Sequence, residues 1–333
     1  MRRILIDEHV ERVADAYLKD LLNPKKTRWR EMPKKRLGMI YRSLGTGQEH
    51  LKCYVSLLLC LYEKIVVLKS EEFDGFHKRY FSRWDDNLDE VVTPKQKKMT
   101  MTEAVQWALR YNDLRESFIP EHLIPLGIQA CVYCNEQNAC PVTENDQGGR
   151  RNVEARYQID HYYPQSKYPY LCTSFYNLQP SCGTCNLKKW NQWSQFNLYT
   201  SDANKQDVFR FAIGDADQIL DALISHQAHP LDIQLHANED GLLENHEHLF
   251  GVERLYQQNH KRDAWRVMDI LYKQSDSYIR SLKDALGVYV TMTDDEVIDE
   301  YFMLFGYDMH KNQVHRRSLN KLAQDIVEFY RLP

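Results

Sequence analysis

Cys131-Val132-Tyr133-Cys134 and Cys182-Gly183-Thr184-Cys185, with Gln158-Ile159-Asp160-His161 between them, decide how this chain is read. Each Cys-x-x-Cys pair makes a short turn that faces two thiolates toward one ion, ~2.3 Å from each sulfur when the ion is zinc. Cys131, Cys134, Cys182 and Cys185 are therefore expected to form one tetrahedral structural site. Four sulfurs leave no position for a water nucleophile, so any chemistry must come from residues that the ion holds in place. Of the eight cysteines, Cys53 and Cys60 sit seven apart in an apolar helical run and read as small core hydrophobes. Cys140 and Cys172 lie inside the zinc-bounded segment, where a disulfide and an alternative ligand both stay open, although reducing conditions disfavour the disulfide.

The 333 residues, 43% of them hydrophobic, suffice for one large or two ordinary domains with a real core. The longest apolar stretch, Cys53 to Tyr62, is interrupted by Glu63 and Lys64, well short of the ~20 residues that a membrane span needs. Met1-Arg2-Arg3-Ile4-Leu5-Ile6-Asp7-Glu8 has no sustained apolar region, so no signal peptide is expected and the expected compartment is the cytoplasm. A net charge of −4 argues against indiscriminate coating of nucleic acid. Local basic runs occur at Lys25 to Arg36, Lys95 to Lys98, Arg150 to Arg156 and Lys188-Lys189; each alone reads as solvated surface, and the two flanking Asp160-His161 carry the most weight.

Residues 1–120 read as mainly helical, with helices over 3–23, from about Glu49 to Leu68, and from about Thr102 to Phe118, where Pro120 supplies a stop. Residues 121–200 change texture, with a turn at Glu144 to Gly149 and a strand from Val153 to Ile159 that delivers Asp160 and His161 at its end. Residues 201–333 read as mainly helical again after a hairpin, Ile233-Gln234-Leu235 and Leu242-Leu243 around Asn238 to Gly241. Apolar positions from Val252 to Leu286 predict long helices, and two more fall at Asp294 to Phe305 and Ser318 to Tyr330. His226, His229, His236, His246 and His248 are too irregularly spaced for a metal cluster and read as surface or loop residues. The tyrosines from Tyr157 to Tyr176 read as packing around a small fold rather than as base-stacking groups. The expected class is α+β, mainly helical with an embedded zinc-bound segment.

Cys131-x-x-Cys134, Asp160-His161-Tyr162-Tyr163-Pro164-Gln165-Ser166, Asn177 and Cys182-x-x-Cys185-Asn186-Leu187-Lys188-Lys189 together resemble the HNH nuclease family, over about a fifth of the 333 residues. The resemblance implies two strands and a helix around one divalent metal, and an endonuclease acting on DNA. It assigns His161 as general base, Asp160 and Asn186 as ligands of Mg²⁺ or Mn²⁺, and Asn177 as the residue orienting the base and its loop. Those residue types suit phosphodiester hydrolysis, because neutral imidazole takes a proton from water near neutral pH, and carboxylate and amide oxygens are hard donors for a hard cation. Many members have His where this chain has Asn186; the CRISPR nuclease's HNH domain is similar to this chain there. Lys188 and Lys189 are candidate phosphate contacts. Weaker similarity at Ser166 to Leu171, Leu255-Tyr256 and Ser318 to Ile326 points to HNH proteins of Septu-type anti-phage systems, which implies an ATPase partner or a homo-oligomer. Two other readings stay open: a binding module that has lost catalysis, and an RNase.

Overall fold

The computed structural model describes residues 1–27, 29–145, 151–273, 280–281, 283–284 and 293–331. Helices and small sheets mix, and every sheet among the described residues has two strands. Two compact units result, one of Ile4–Leu126 with Cys140–Ala203, the other of Met1–Arg3, Gly127–Ala139 and Asn204–Pro333. The helical segment 4–126 thus shares a unit with Asp160 and His161. Among the described residues no helix is long and apolar enough to cross a membrane.

In the unit that carries Asp160, Ile4–Leu5 is a strand paired in parallel with Tyr199–Thr200, and the first helix is Glu8–Leu21 rather than 3–23. Asp7 sets that start: its side chain accepts from the Val10 N–H at 2.9 Å, and Glu8 and Glu11 favour the positive end of the helix dipole. Val10, Val13, Ala14, Tyr17 and Leu21 face inward at helical spacing. Glu49–Val66 forms as predicted and buries Leu51, Tyr54, Val55, Leu58, Tyr62, Ile65 and Val66. Cys53 and Cys60 lie on the opposite face and are exposed, so they are not core residues. A seven-residue spacing fixes that two residues share a helix face, and the aromatic and leucine stripe decides which face is buried.

The helix predicted over Thr102–Phe118 is shorter and broken. It begins at Met101 because Thr100 and Glu103 form a capping box, Thr100 Oγ1 accepting from the Glu103 N–H at 3.2 Å. It ends at Leu109, where Arg110 turns left-handed (φ 63°) with its guanidinium over the Trp29 ring and paired to Asp113 at 2.8 Å. Tyr111–Leu114 and Phe118–Leu123 follow as short helices, and Pro120 sits in the first turn of the latter, where its missing N–H is harmless, instead of acting as a stop. The strand expected from Val153 to Ile159 is two strands. Arg151–Ala155 pairs with Pro141–Asn145, and Gln158–His161 pairs antiparallel with Leu178–Ser181. The turn expected at Glu144 to Gly149 lies mostly outside the described residues. Tyr163 and Tyr168 pack ring to ring at 4.7 Å, and Tyr170 stacks on Phe81 at 4.2 Å, in keeping with a packing role.

In the other unit, Ile233–Ala237 pairs with Phe209–Ile213, so the expected hairpin with Leu242-Leu243 does not form. Gly241, at φ 71°, lets the chain turn straight into the helix Leu242–Phe250. The strand Ile233–Ala237 has its outer N–H groups taken by side chains of the helix Val252–Asn259: Gln257 accepts from Ile233 at 2.6 Å and Glu253 from Leu235 at 2.7 Å. On the far side Asp325, in the helix Asn320–Arg331, accepts from the Phe211 N–H at 2.7 Å and pairs with Lys321 at 2.6 Å. Lys261–Tyr272 and Asp294–Leu304 are helical as predicted, whereas Tyr278, Ile279, Leu282 and Leu286 lie outside the described residues.

His246 is fully buried, against the expectation of a surface residue; its Nε2–H donates to the Tyr133 carbonyl at 2.8 Å, and burial lowers its pKa to about 3. His315 donates likewise to the Arg2 carbonyl at 2.7 Å, and burial lowers its pKa to about 4. Both are neutral when folded and take up a proton near pH 6.5 when unfolded, so the unfolded chain binds more protons between those values. Stability in urea should therefore be flat above pH 6.5 and fall as pH drops toward 4. His315→Gln, which keeps an N–H donor for the Arg2 carbonyl, should have a shallower acid slope, and an unchanged slope would show that His315 does not set it.

Candidate functional site

Asp160 and His161 are the last two residues of the strand Gln158–His161, registered opposite Gln179 and Leu178. The antiparallel partner Leu178–Ser181 leads directly into the helix Gly183–Lys189, whose N-cap is Cys182. Cys182 Sγ accepts from the Cys185 N–H at 3.4 Å, a contact that favours the thiolate. The sequence therefore places a strand pair, a thiolate turn and a helix in immediate succession, which brings Asn186 and Lys189 to the strand end.

The sulfurs of Cys131, Cys134, Cys182 and Cys185 all lie within 4.8 Å of one another, and all four residues are buried. A tetrahedral zinc with bonds of ~2.3 Å needs sulfurs ~3.8 Å apart, so this donor set suits zinc with a small contraction. Cys140 and Cys172 are free; Cys172 is buried, and burial pushes its thiol pKa up. The backbone of the first turn is clamped by side chains of its own unit. Tyr256 donates to the Cys134 carbonyl at 2.8 Å and His246 to that of Tyr133 at 2.8 Å. Asn135, left-handed at φ 52°, donates to the Val314 carbonyl at 3.0 Å and accepts from the Lys321 N–H at 2.8 Å.

His161 is 4% exposed. Its Nε2 lies 3.0 Å from the Cys172 carbonyl oxygen. A carbonyl can only accept, so Nε2 carries the hydrogen and Nδ1 keeps a lone pair. Burial lowers the imidazole pKa to about 4, with the Cys172 contact and Asp160 opposing the shift. Tyr111 supports the ring edge-on at 4.7 Å while its hydroxyl donates to the Ile159 carbonyl at 3.0 Å. Asn177, fully buried, ties the intervening loop together: Oδ1 accepts from the Tyr163 N–H at 2.7 Å, and Nδ2 donates to the Tyr163 and Leu171 carbonyls at 3.2 and 3.0 Å.

Lys189 corrects a sequence expectation. It is fully buried, its ammonium 3.0 and 3.3 Å from the two Asp160 oxygens and 2.8 Å from the His161 carbonyl, so it is not a surface phosphate contact. Lys188, the preceding residue of the helix, is exposed. Asp160, His161 and half-buried Asn186 line one cleft of about 940 Å³ together with Tyr111, Arg115 and Trp190. Glu116 and Glu154 add negative charge to its walls. Tyr111, Arg115 and Trp190 escaped the motif reading; only Trp190, adjacent to Lys189, stood near enough in sequence to draw notice. The cleft joins a neutral imidazole base, a buried carboxylate, an amide oxygen and a guanidinium, a set suited to deprotonating water beside an anion.

No protein-family model matches the chain, and no match was found among the curated proteins or the solved structures. Two measurements test the site's construction. Cys182→Ser should lose bound zinc, read by metal analysis, and lower the melting temperature; retained zinc would take Cys182 out of the ligand set. Lys189→Met should cost about 3 kcal/mol or more by leaving Asp160 buried and unpaired, and adding Asp160→Asn should recover part of it, as read from denaturant midpoints.

Proposed function

We propose that this chain is a metal-dependent endonuclease of the HNH type that hydrolyses DNA phosphodiester bonds with His161 as general base. The observation that carries the reading is the contact from His161 Nε2 to the Cys172 carbonyl at 3.0 Å, which leaves Nδ1 as a proton acceptor beside the cleft. With its pKa lowered to about 4, the imidazole is unprotonated at neutral pH, as a base must be. Asn177 supports this by holding Tyr163 and Leu171, so that the loop carrying the Cys172 carbonyl keeps its place. Arg115, exposed on the cleft wall, offers a guanidinium to a phosphate.

Asp160 and Asn186 are hard oxygen donors on the same cleft. Lys189 approaches both carboxylate oxygens, yet a carboxylate has about four lone-pair directions, which leaves room for a cation as well. The donor set therefore fits Mg²⁺ or Mn²⁺, which when bound would stabilise charge on the phosphate as a Lewis acid. The four cysteines fit zinc and would keep the strand end and helix in register. Placement beside an ATPase in anti-phage defence rests on the motif resemblance alone.

His161→Ala should lower Mg²⁺-dependent plasmid nicking by about a hundredfold or more while leaving zinc content and melting temperature near those of the wild type. Parallel DNA and RNA substrates decide the nucleic acid cleaved. If the wild type, with any ATPase partner added, binds nucleic acid but cleaves neither, the chain is a binding module and the nuclease reading fails.

A further inference from the structure

The helix Gly183–Lys189 ends at a residue that ought to be uncomfortable. Trp190 has φ 49° and ψ −123°, a backbone conformation that glycine adopts freely and a bulky residue does not. Its side chain is 70% exposed, and among the described residues its ring has no aromatic or cationic partner. Leu187, three residues earlier, is also 70% exposed. Both stand on the cleft that holds Asp160 and His161. The backbone there is tied by hydrogen bonds, the Trp190 N–H donating to the Asn186 carbonyl at 3.0 Å and the Gln192 N–H to the Lys189 carbonyl at 2.9 Å, while the two apolar side chains stay in solvent.

We propose that Trp190 is a stacking platform for a nucleobase of the DNA strand whose phosphodiester lies at His161. The inference rests on the nuclease reading and extends it to the substrate's form. An indole face binds a base by covering its π-surface, and within an intact duplex both faces of each base are already covered by neighbours. A base reaching Trp190 is therefore unpaired, so the substrate class is single-stranded or locally opened DNA. Leu187 supplies an apolar edge beside that base, and Arg115 on the same cleft reaches the backbone.

The test compares wild type, Trp190→Gly and Trp190→Phe on fluorescein-labelled oligodeoxynucleotides, single-stranded and duplex, with Mg²⁺. Trp190→Gly should raise KM for the single strand at least about fivefold and leave kcat within about twofold, while Trp190→Phe recovers most of the loss. Its melting temperature should not fall, because glycine tolerates the local backbone. An abasic residue at one position near the cut should reproduce the loss in wild type and add nothing in Trp190→Gly. If wild type cleaves but KM is unchanged in Trp190→Gly, the platform is overturned and the nuclease reading stands. A falling melting temperature with falling kcat, or a preference for intact duplex, also overturns the platform. If wild type cleaves no nucleic acid, both readings fall.

Discussion

A lysine ammonium closed away from water beneath a strand end organises the site. Lys189 has three N–H groups and meets three acceptors, the two Asp160 oxygens and the His161 carbonyl. Burying a charge pair is costly, and the cost is offset only when geometry is good and no donor is left over. Here the count closes. The contact to a backbone carbonyl makes the arrangement more than an ion pair: it fixes the strand's last residue relative to the helix, and with it the orientation of the imidazole.

The other half of the positioning is neutral. His161 is held at Nε2 by a backbone oxygen, Asn177 braces the loop that delivers this oxygen, and Tyr111 closes the remaining side. A carboxylate in place of the Cys172 carbonyl would raise the imidazole pKa. A carbonyl fixes the tautomer with a weaker upward pull, so burial dominates and the ring stays neutral. The Asp160 charge is balanced by Lys189 on the helix, so imidazole and carboxylate sit side by side at the strand end.

Much of this was legible in the sequence, for reasons that particular residues make clear. The paired cysteines, and Asp160-His161 at a strand end, are local patterns, and local patterns survive folding. Lys189 was misread because charge on a helix ordinarily means solvent. Yet it stands four residues after Cys185, and both are buried on one helix face, so the spacing carried the information. Cys53 and Cys60 failed the other way, because a shared face does not say which face. Leu242 read as strand because the helix that Gly241 opens buries a histidine, His246, at the position where its apolar period would continue. Tyr111 and Cys172 depend on contacts between distant segments, and no single-sequence pattern encodes those.

The first thiolate turn has its backbone fastened by protein groups: Tyr256 and His246 hold its carbonyls, and Asn135 anchors its exit to the C-terminal segment. Cys131 and Cys134 thus stand ready for an ion before one arrives. A flexible turn would lose conformational entropy on metal capture, whereas this half of the site has already lost it during folding. Preorganisation of that kind raises affinity without any added ligand.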